Sequence, residues 1–430
     1  MARDAAAGGA EAVRLEQRVF EELTGATRAG GAVRHRQVFF VPGFDPMPPR
    51  RYRELYRREG ARQAQISGYT IGVRGVAERG TAFGWNVVAE IEGQVVRTEI
   101  AFLQWEDLVR NAIRGSIAAH YLMLARTFWT YVRGGSLRAL ARLRWEPMIA
   151  ALAPPIFLVI YLVLAILLGA LATDQAMAWL GLPVWLALGL GLGAGMLFLW
   201  ATKRIDRRLF AYYMLADYAY AASAGGATPP DLAERIELWA DRVAEARQGG
   251  SDEILVIGHS AGAHLAAQVT AATLRRSAGD APLSLLTIGQ SIPMVSFLPT
   301  ASDLRRDLHQ LARSEDLFWL DVTARGDGAC FALCDPVAVT GVDPEEREKR
   351  WPLIISAAYK KHLSSDQLEA FKWRFFRKHI QYMCAFDRPG DYDYFRITAG
   401  PKTLAERFGW RGSSRARIVT PLSPFRDMDP

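Results

Sequence analysis

Two long stretches without a single charge constrain this chain more than any other feature. Met148 to Ala172 reads MIAALAPPIFLVIYLVLAILLGALA, and Ala176 to Thr202 reads AMAWLGLPVWLALGLGLGAGMLFLWAT. Each exceeds the roughly 20 apolar residues that a helix rising ~1.5 Å per residue needs to cross a ~30 Å hydrocarbon layer. Neither offers a polar face to water, which argues against two ordinary surface helices of a soluble domain. The pattern predicts two membrane-spanning helices joined by a very short loop at Asp174 and Gln175. Pro154, Pro155 and Pro183 fall toward the outer parts of the segments, where a bilayer helix tolerates proline better than a soluble one does.

The flanks orient this hairpin. Arg133, Arg138, Arg142 and Arg144 precede the first run, Lys203, Arg204, Arg207 and Arg208 follow the second, and the loop has no Lys or Arg. The positive-inside bias places both ends, and with them the rest of the chain, on the cytoplasmic side of a bacterial-type inner membrane. Arg133 to Trp145 alternates Arg with Leu and ends in Trp, the pattern of a helix lying in an anionic interface. The chain carries 52 Lys and Arg against 45 Asp and Glu, a net charge of +7. These flanks give that surplus a cause, so the expected partner is a lipid bilayer and not nucleic acid.

With 50% hydrophobic and 23% charged residues, the chain is neither mostly disordered nor collagen-like. Its three cysteines, Cys330, Cys334 and Cys384, are too few for a disulfide framework and fit a reducing compartment. They read as buried thiols; one pair four positions apart makes a weak zinc signature, and neither a metal nor a cofactor is expected. The first segment has no apolar run of signal-peptide type. The expected organisation is a flexible tail over 1–30 with a short amphipathic helix at Arg14 to Leu23, a first part of an α/β domain over 31–130, the hairpin with its basic flanks over 131–210, the second part of the domain over 211–395, and a tail over 396–430.

Within the two halves, Gln37 to Val41 reads as a buried strand ending in Pro42-Gly43-Phe44-Asp45, followed by a basic helix from Pro49 to Arg62. Gly68 to Arg74 and Trp85 to Trp105 alternate as strands, with Glu92-Gly93 as a hairpin turn. Asp231 to Arg247 reads as a helix with Leu232, Ile236, Trp239 and Val243 on one face. Next comes Glu253 to Val269, EILVIGHSAGAHLAAQV: a buried strand, then Gly258-His259-Ser260-Ala261-Gly262, then an Ala-rich helix. Strand, sharp turn and helix in that order, with glycines two before and two after a serine, are what an exposed nucleophilic hydroxyl at a strained bend requires. The positive end of the new helix then faces any negative charge that develops there.

Gly258-His259-Ser260-Ala261-Gly262-Ala263-His264-Leu265 resembles the nucleophile elbow of the α/β-hydrolase family, especially its esterase branches. The resemblance covers roughly residues 35–45 and 205–390. It implies a mostly parallel sheet flanked by helices, here interrupted by the two-helix hairpin, and a Ser, acid, His triad in that chain order. It also implies hydrolysis of an ester, amide or thioester through an acyl-enzyme. The esterase branch usually carries a His-Gly-Gly run after the early strand, whereas Pro42-Gly43-Phe44 looks like the lipase type. The backbone N–H groups of Ala261 and Phe44 are the expected oxyanion hole, with Gly43 allowing close approach.

The acid is expected after a later strand, either Ser284 to Ile288 or Leu317 to Val322. Asp327 lies in a Gly-flanked loop and is the first choice; Asp335 is the alternative, and Asp321 lies inside the strand. Chain order leaves two histidines for the base: His379 among aromatic residues near the domain's end, and His362 as the alternative. His264, one helical turn beyond Ser260, reads as a packing group. The expected activity is that of a membrane-anchored serine hydrolase acting on carboxylic esters, with an amphipathic ester or lipid as substrate. A catalytically silent membrane scaffold of the same fold is the second reading, and an intact triad separates the two.

Overall fold

A computed structural model describes residues 33–75, 83–206, 211–276, 281–372 and 374–429. The expected N-terminal tail and its helix, and the flanking Arg207 and Arg208, lie outside the described residues.

The first half of the chain gives β1 (His35–Val41), α1 (Pro49–Ser67), β2 (Thr70–Gly75), β3 (Phe83–Ile91) and β4 (Gln94–Phe102). Then come α2 (Glu106–Ile113), α3 (Ile117–Arg133), α4 (Ser136–Leu143), α5 (Trp145–Leu180), α6 (Val184–Ile205) and α7 (Ala211–Ala222). The second half gives α8 (Pro230–Gln248), β5 (Glu253–His259), α9 (Gly262–Arg276), β6 (Leu283–Ile288), α10 (Ser302–Arg313), β7 (Leu317–Thr323) and β8 (Leu353–Ser356). The short helix α11 (Phe375–His379) follows.

The eight strands form one sheet in the order β2-β3-β4-β1-β5-β6-β7-β8. From β4 onward all pairs are parallel; β2, β3 and β4 form an antiparallel meander at one edge. The β3–β4 turn is Glu92-Gly93, both at positive φ (54° and 74°), the two-residue turn whose twist matches the strands it joins. Strands β5, β6 and β7 are buried along their whole length, which is why they read as continuous apolar runs. On one face α8, α9 and α10 pack through Trp239, Val243, Leu265, Val269 and Leu308. On the other, Tyr56 of α1 packs with Tyr382, Phe386, Phe395 and Phe408 from the C-terminal part.

The two apolar helices lie between the halves of this α/β unit in the sequence, and both are long and apolar enough to cross a membrane. The break between them is not at Asp174 and Gln175. Helix α5 runs through both and ends at Gly181, whose φ of 60° turns the chain into Pro183. An interior Asp or Gln adds little cost to a long helix, whereas a left-handed glycine followed by proline ends one. Where the helices cross, a side chain at Gly191 would collide with the Gly169 carbonyl and Thr173, and one at Gly195 with the Ala165 carbonyl. Small residues set this close approach.

Two further expectations change. The Arg- and Leu-rich segment before the hairpin does form α4, but its Leu140 and Leu143 pack inside the protein against Tyr131, Phe297 and Phe331 instead of facing an interface. The protein core supplies the apolar surface that a bilayer was expected to supply. Residues 396–429 are no free tail either. Phe408 is buried, Thr403 and Glu406 form a capping box, Ile418 bridges to Cys334, and Asp427 pairs with the buried Arg305 at 3.0 Å.

Candidate active site

The end of β1, the start of α9 and the end of β5 meet at Ser260. This serine has φ +58°, a left-handed conformation rare for a residue with a Cβ. Its N–H donates to the Ile288 carbonyl of β6 at 3.1 Å, and its own carbonyl accepts from Ala263 N–H. The flanking glycines are required by close packing. A Cβ on Gly258 would lie 2.6 Å from Ala263 Cα and Ala266 Cβ, and one on Gly262 would strike the Val41 and Pro42 carbonyls. A Cβ on Gly43 would lie 3.0 Å from Ser260 Cβ and 3.5 Å from its Oγ, so the turn after β1 passes directly beside the serine.

That turn continues into Phe44. Among the described residues, the backbone N–H groups of Phe44 and Ala261 have no hydrogen-bond acceptor, and both residues line the cavity that holds Ser260. The Phe44 carbonyl accepts from Tyr213 Oη, and its ring packs against Trp105, so the backbone orientation at Phe44 is held from both sides.

Asp327 and His379, from separate loops after β7 and in α11, come together. His379 Nδ1 donates to Asp327 Oδ2 at 2.8 Å, Tyr382 Oη donates to the same oxygen at 3.0 Å, and Ala329 N–H donates to Oδ1 at 3.0 Å. Burial pushes the Asp327 carboxyl up, but the His379 charge and these hydrogen bonds outweigh it, and the group sits below its ordinary value. Among the described residues, His379 Nε2 is buried without a partner, and it is not hydrogen-bonded to Ser260 Oγ. Both residues line one cavity of about 1200 Å³. His379 is seated against Gly289, where a Cβ would lie 3.3 Å from Cε1.

The other sequence candidates are elsewhere. Asp335 caps a short helix by accepting from Val337 and Ala338 N–H and pairs with Lys349 at 2.7 Å. His362 Nδ1 donates to the Arg388 carbonyl, away from the cavity. Asp321 accepts from Thr287 Oγ1 at 2.6 Å inside the sheet, and burial raises its pKa to about 8. His264 is half-buried at the cavity wall, and desolvation lowers its pKa to about 4, which keeps it neutral. Cys330, Cys334 and Cys384 are buried free thiols.

Three groups at the site escaped the sequence reading. His259 lies with its ring centroid 4.7 Å from that of His379 and donates from Nε2 to the His379 carbonyl at 3.0 Å; burial, then the neighbouring imidazole, lowers its pKa to about 3. Tyr382 anchors Asp327. Asp217, on α7, faces the cavity, and burial raises its pKa to about 7 although the His379 charge opposes the shift. The signal for Asp217 was present: it is the one acid in the otherwise uncharged AYYMLADYAYAA.

The arrangement can move a proton. A serine hydroxyl, an imidazole with one nitrogen oriented by a carboxylate and the other uncommitted, and two free amide N–H groups beside the serine are the groups that acyl transfer uses. Searches against family models, curated proteins and solved structures each find no match to this chain.

Proposed function

We propose that this protein is a membrane-anchored serine hydrolase of the α/β-hydrolase type, which cleaves carboxylic esters of amphipathic or lipid substrates through an acyl-enzyme on Ser260. The observation that carries the reading is the meeting, at one cavity, of a left-handed serine with a His379–Asp327 pair whose outer nitrogen is free. In this reading His379 Nε2 takes the hydroxyl proton as Ser260 Oγ attacks the ester carbonyl. The oxyanion is held by the N–H groups of Phe44 and Ala261, and the proton passes to the leaving alcohol. Water then repeats the sequence on the acyl-serine, returning the acid and the free enzyme. Asp327 keeps Nδ1 protonated throughout and stabilises the imidazolium.

The membrane part of the reading rests on uncovered apolar surface. Trp179 is 81% exposed and Trp185 70%, so among the described residues none covers these rings at that end of the hairpin. The basic residues before α5 and at the end of α6 favour the cytoplasmic side for the globular part. The cavity itself extends from Ser260 to Pro147 at the start of α5 and to Lys203 and Arg204 at the end of α6. This lining supports a path by which an ester held at the base of the hairpin reaches the serine.

An active-site fluorophosphonate should label the wild-type protein and not Ser260→Ala, and this variant should lower turnover of long-chain acyl esters by about 10³-fold or more. Labelling that survives Ser260→Ala would overturn the nucleophile assignment, and an unlabelled wild type would leave the scaffold reading. Turnover confined to short soluble esters would remove the lipid substrate.

A further inference from the structure

The far end of the cavity carries chemistry that ester cleavage does not use. At its mouth stand Arg114, Lys203 and Arg204, with Arg110 one helical turn before Arg114. Lys203 Nζ donates to the Gly115 carbonyl, which brings the end of α2 against the end of α6, and it also lies 5.8 Å from the Tyr212 ring centroid. Arg204 lies over the Trp200 ring at 5.6 Å. Among the described residues, neither Arg114 nor Arg204 has a carboxylate partner, and both are exposed at the opening. Of the nearby acids, Glu106 pairs with Arg110 at 3.6 Å, and Asp206 caps α7, where it accepts from Ala211 and Tyr212 N–H at 2.8 and 3.2 Å. The mouth is thus net cationic, whereas the wall leading to Ser260 is aromatic, formed by Phe44, Trp105, Tyr213 and Tyr220.

We infer that Arg114, Lys203 and Arg204 form a phosphate-binding subsite that selects an anionic phosphate-bearing lipid and holds its headgroup at the hairpin base while its ester reaches Ser260. The inference rests on the lipid-ester reading for its substrate, but its binding step is independent of catalysis. Guanidinium groups suit phosphate because they donate in a planar fork and stay charged, and a cation cluster where two spanning helices leave the bilayer meets headgroups at their own depth. Depth also separates the two roles: the headgroup stays at the opening, and only the acyl-bearing part enters the aromatic passage.

Binding is measured on the full-length Ser260→Ala protein in uncharged maltoside micelles, so that nothing turns over. The probes are dihexanoyl phosphatidic acid and the uncharged dihexanoylglycerol. The expected result is a preference for the phosphate-bearing probe of about tenfold or more. It should weaken with salt, drop below about twofold in Arg114→Gln/Arg204→Gln, and fall to an intermediate value in Arg114→Lys/Arg204→Lys, which retains the charge without the planar fork and controls for misfolding. Inorganic phosphate that competes at millimolar concentration identifies a site that also takes free phosphate; failure to compete identifies one that needs the lipid. Equal affinity for the two probes, or a preference untouched by the Gln variant, would overturn the inference. Loss of fluorophosphonate labelling in the active protein would instead strike the hydrolase reading and leave the binding result standing.

Discussion

Ser260 occupies a backbone region that costs a residue with a side chain about 1–3 kcal/mol. Its surroundings leave no other choice: β6 holds its amide, the β1 carbonyls crowd Gly262, and α9 crowds Gly258. Asp217 stores a second local cost. It holds its proton to about pH 7 in the folded protein, against an ordinary value of 3.8, because burial disfavours its charge. Between these two values the native state binds more protons than the unfolded chain, so this group makes stability fall as pH rises, down to a floor above about pH 7. Asp217→Asn removes that dependence. Its stability advantage over wild type should grow from pH 5 to pH 8 by on the order of 1–3 kcal/mol, read as thermal midpoints at the two pH values. An advantage that does not change with pH would contradict a desolvated, neutral carboxyl at this half-buried position.

At the scale of elements, the hairpin is held by backbone contact. Gly191 and Gly195 face Gly169 and Ala165 across α5 and α6, and no residue with a larger side chain fits at Gly191 without moving a helix. Gly191→Leu should therefore separate the helices and lower the thermal midpoint in detergent by several degrees, whereas Gly193→Leu, at a position with open space around it, should leave the midpoint in place. Equal effects at the two positions would show that close packing is not what joins the pair. That two helices would be long and apolar enough to cross a membrane was plain in the sequence, since an uncharged run is local information. The loop position was not, because Asp174 and Gln175 are polar without being helix-ending, and the left-handed Gly181 with Pro183 decides.

The whole molecule is closed by contacts between distant parts of the chain. Arg36 of β1 and Glu253 of β5 form a fully buried ion pair at 2.7 Å; Arg36 also donates to the Gly400 and Lys402 carbonyls, and Glu253 accepts from Ser284 and Leu404. The C-terminal segment does similar work on the other face: Asp427 accepts from the buried Arg305 through both its side chain and its carbonyl, and Leu422 N–H donates to the Val339 carbonyl. Truncation after Ser423 strips Arg305 of its only carboxylate among the described residues. Because Asp427 is itself more than half exposed, water screens the pair, and the truncation should destabilise the protein by about 1–3 kcal/mol as measured by denaturant unfolding in micelles. A change below 1 kcal/mol would mean that the segment is an ornament on the domain.

What the sequence alone determined is what chain neighbours decide together: the two long apolar helices, the Glu92-Gly93 turn, the buried runs of the parallel strands and the strand–turn–helix around Ser260. Helical and strand periodicity, glycine freedom and hydrocarbon length all act within a few residues of one another. Tertiary structure decided which distant groups meet. It brought His379 to Asp327, sent Asp335 to a helix cap and His362 to the Arg388 carbonyl, turned Leu140 and Leu143 into the protein, and placed Asp217 and the mouth arginines on one cavity. Residues far apart in the chain become neighbours only through the packing of a sheet whose β1 and β5 lie side by side with the whole hairpin looped out between them.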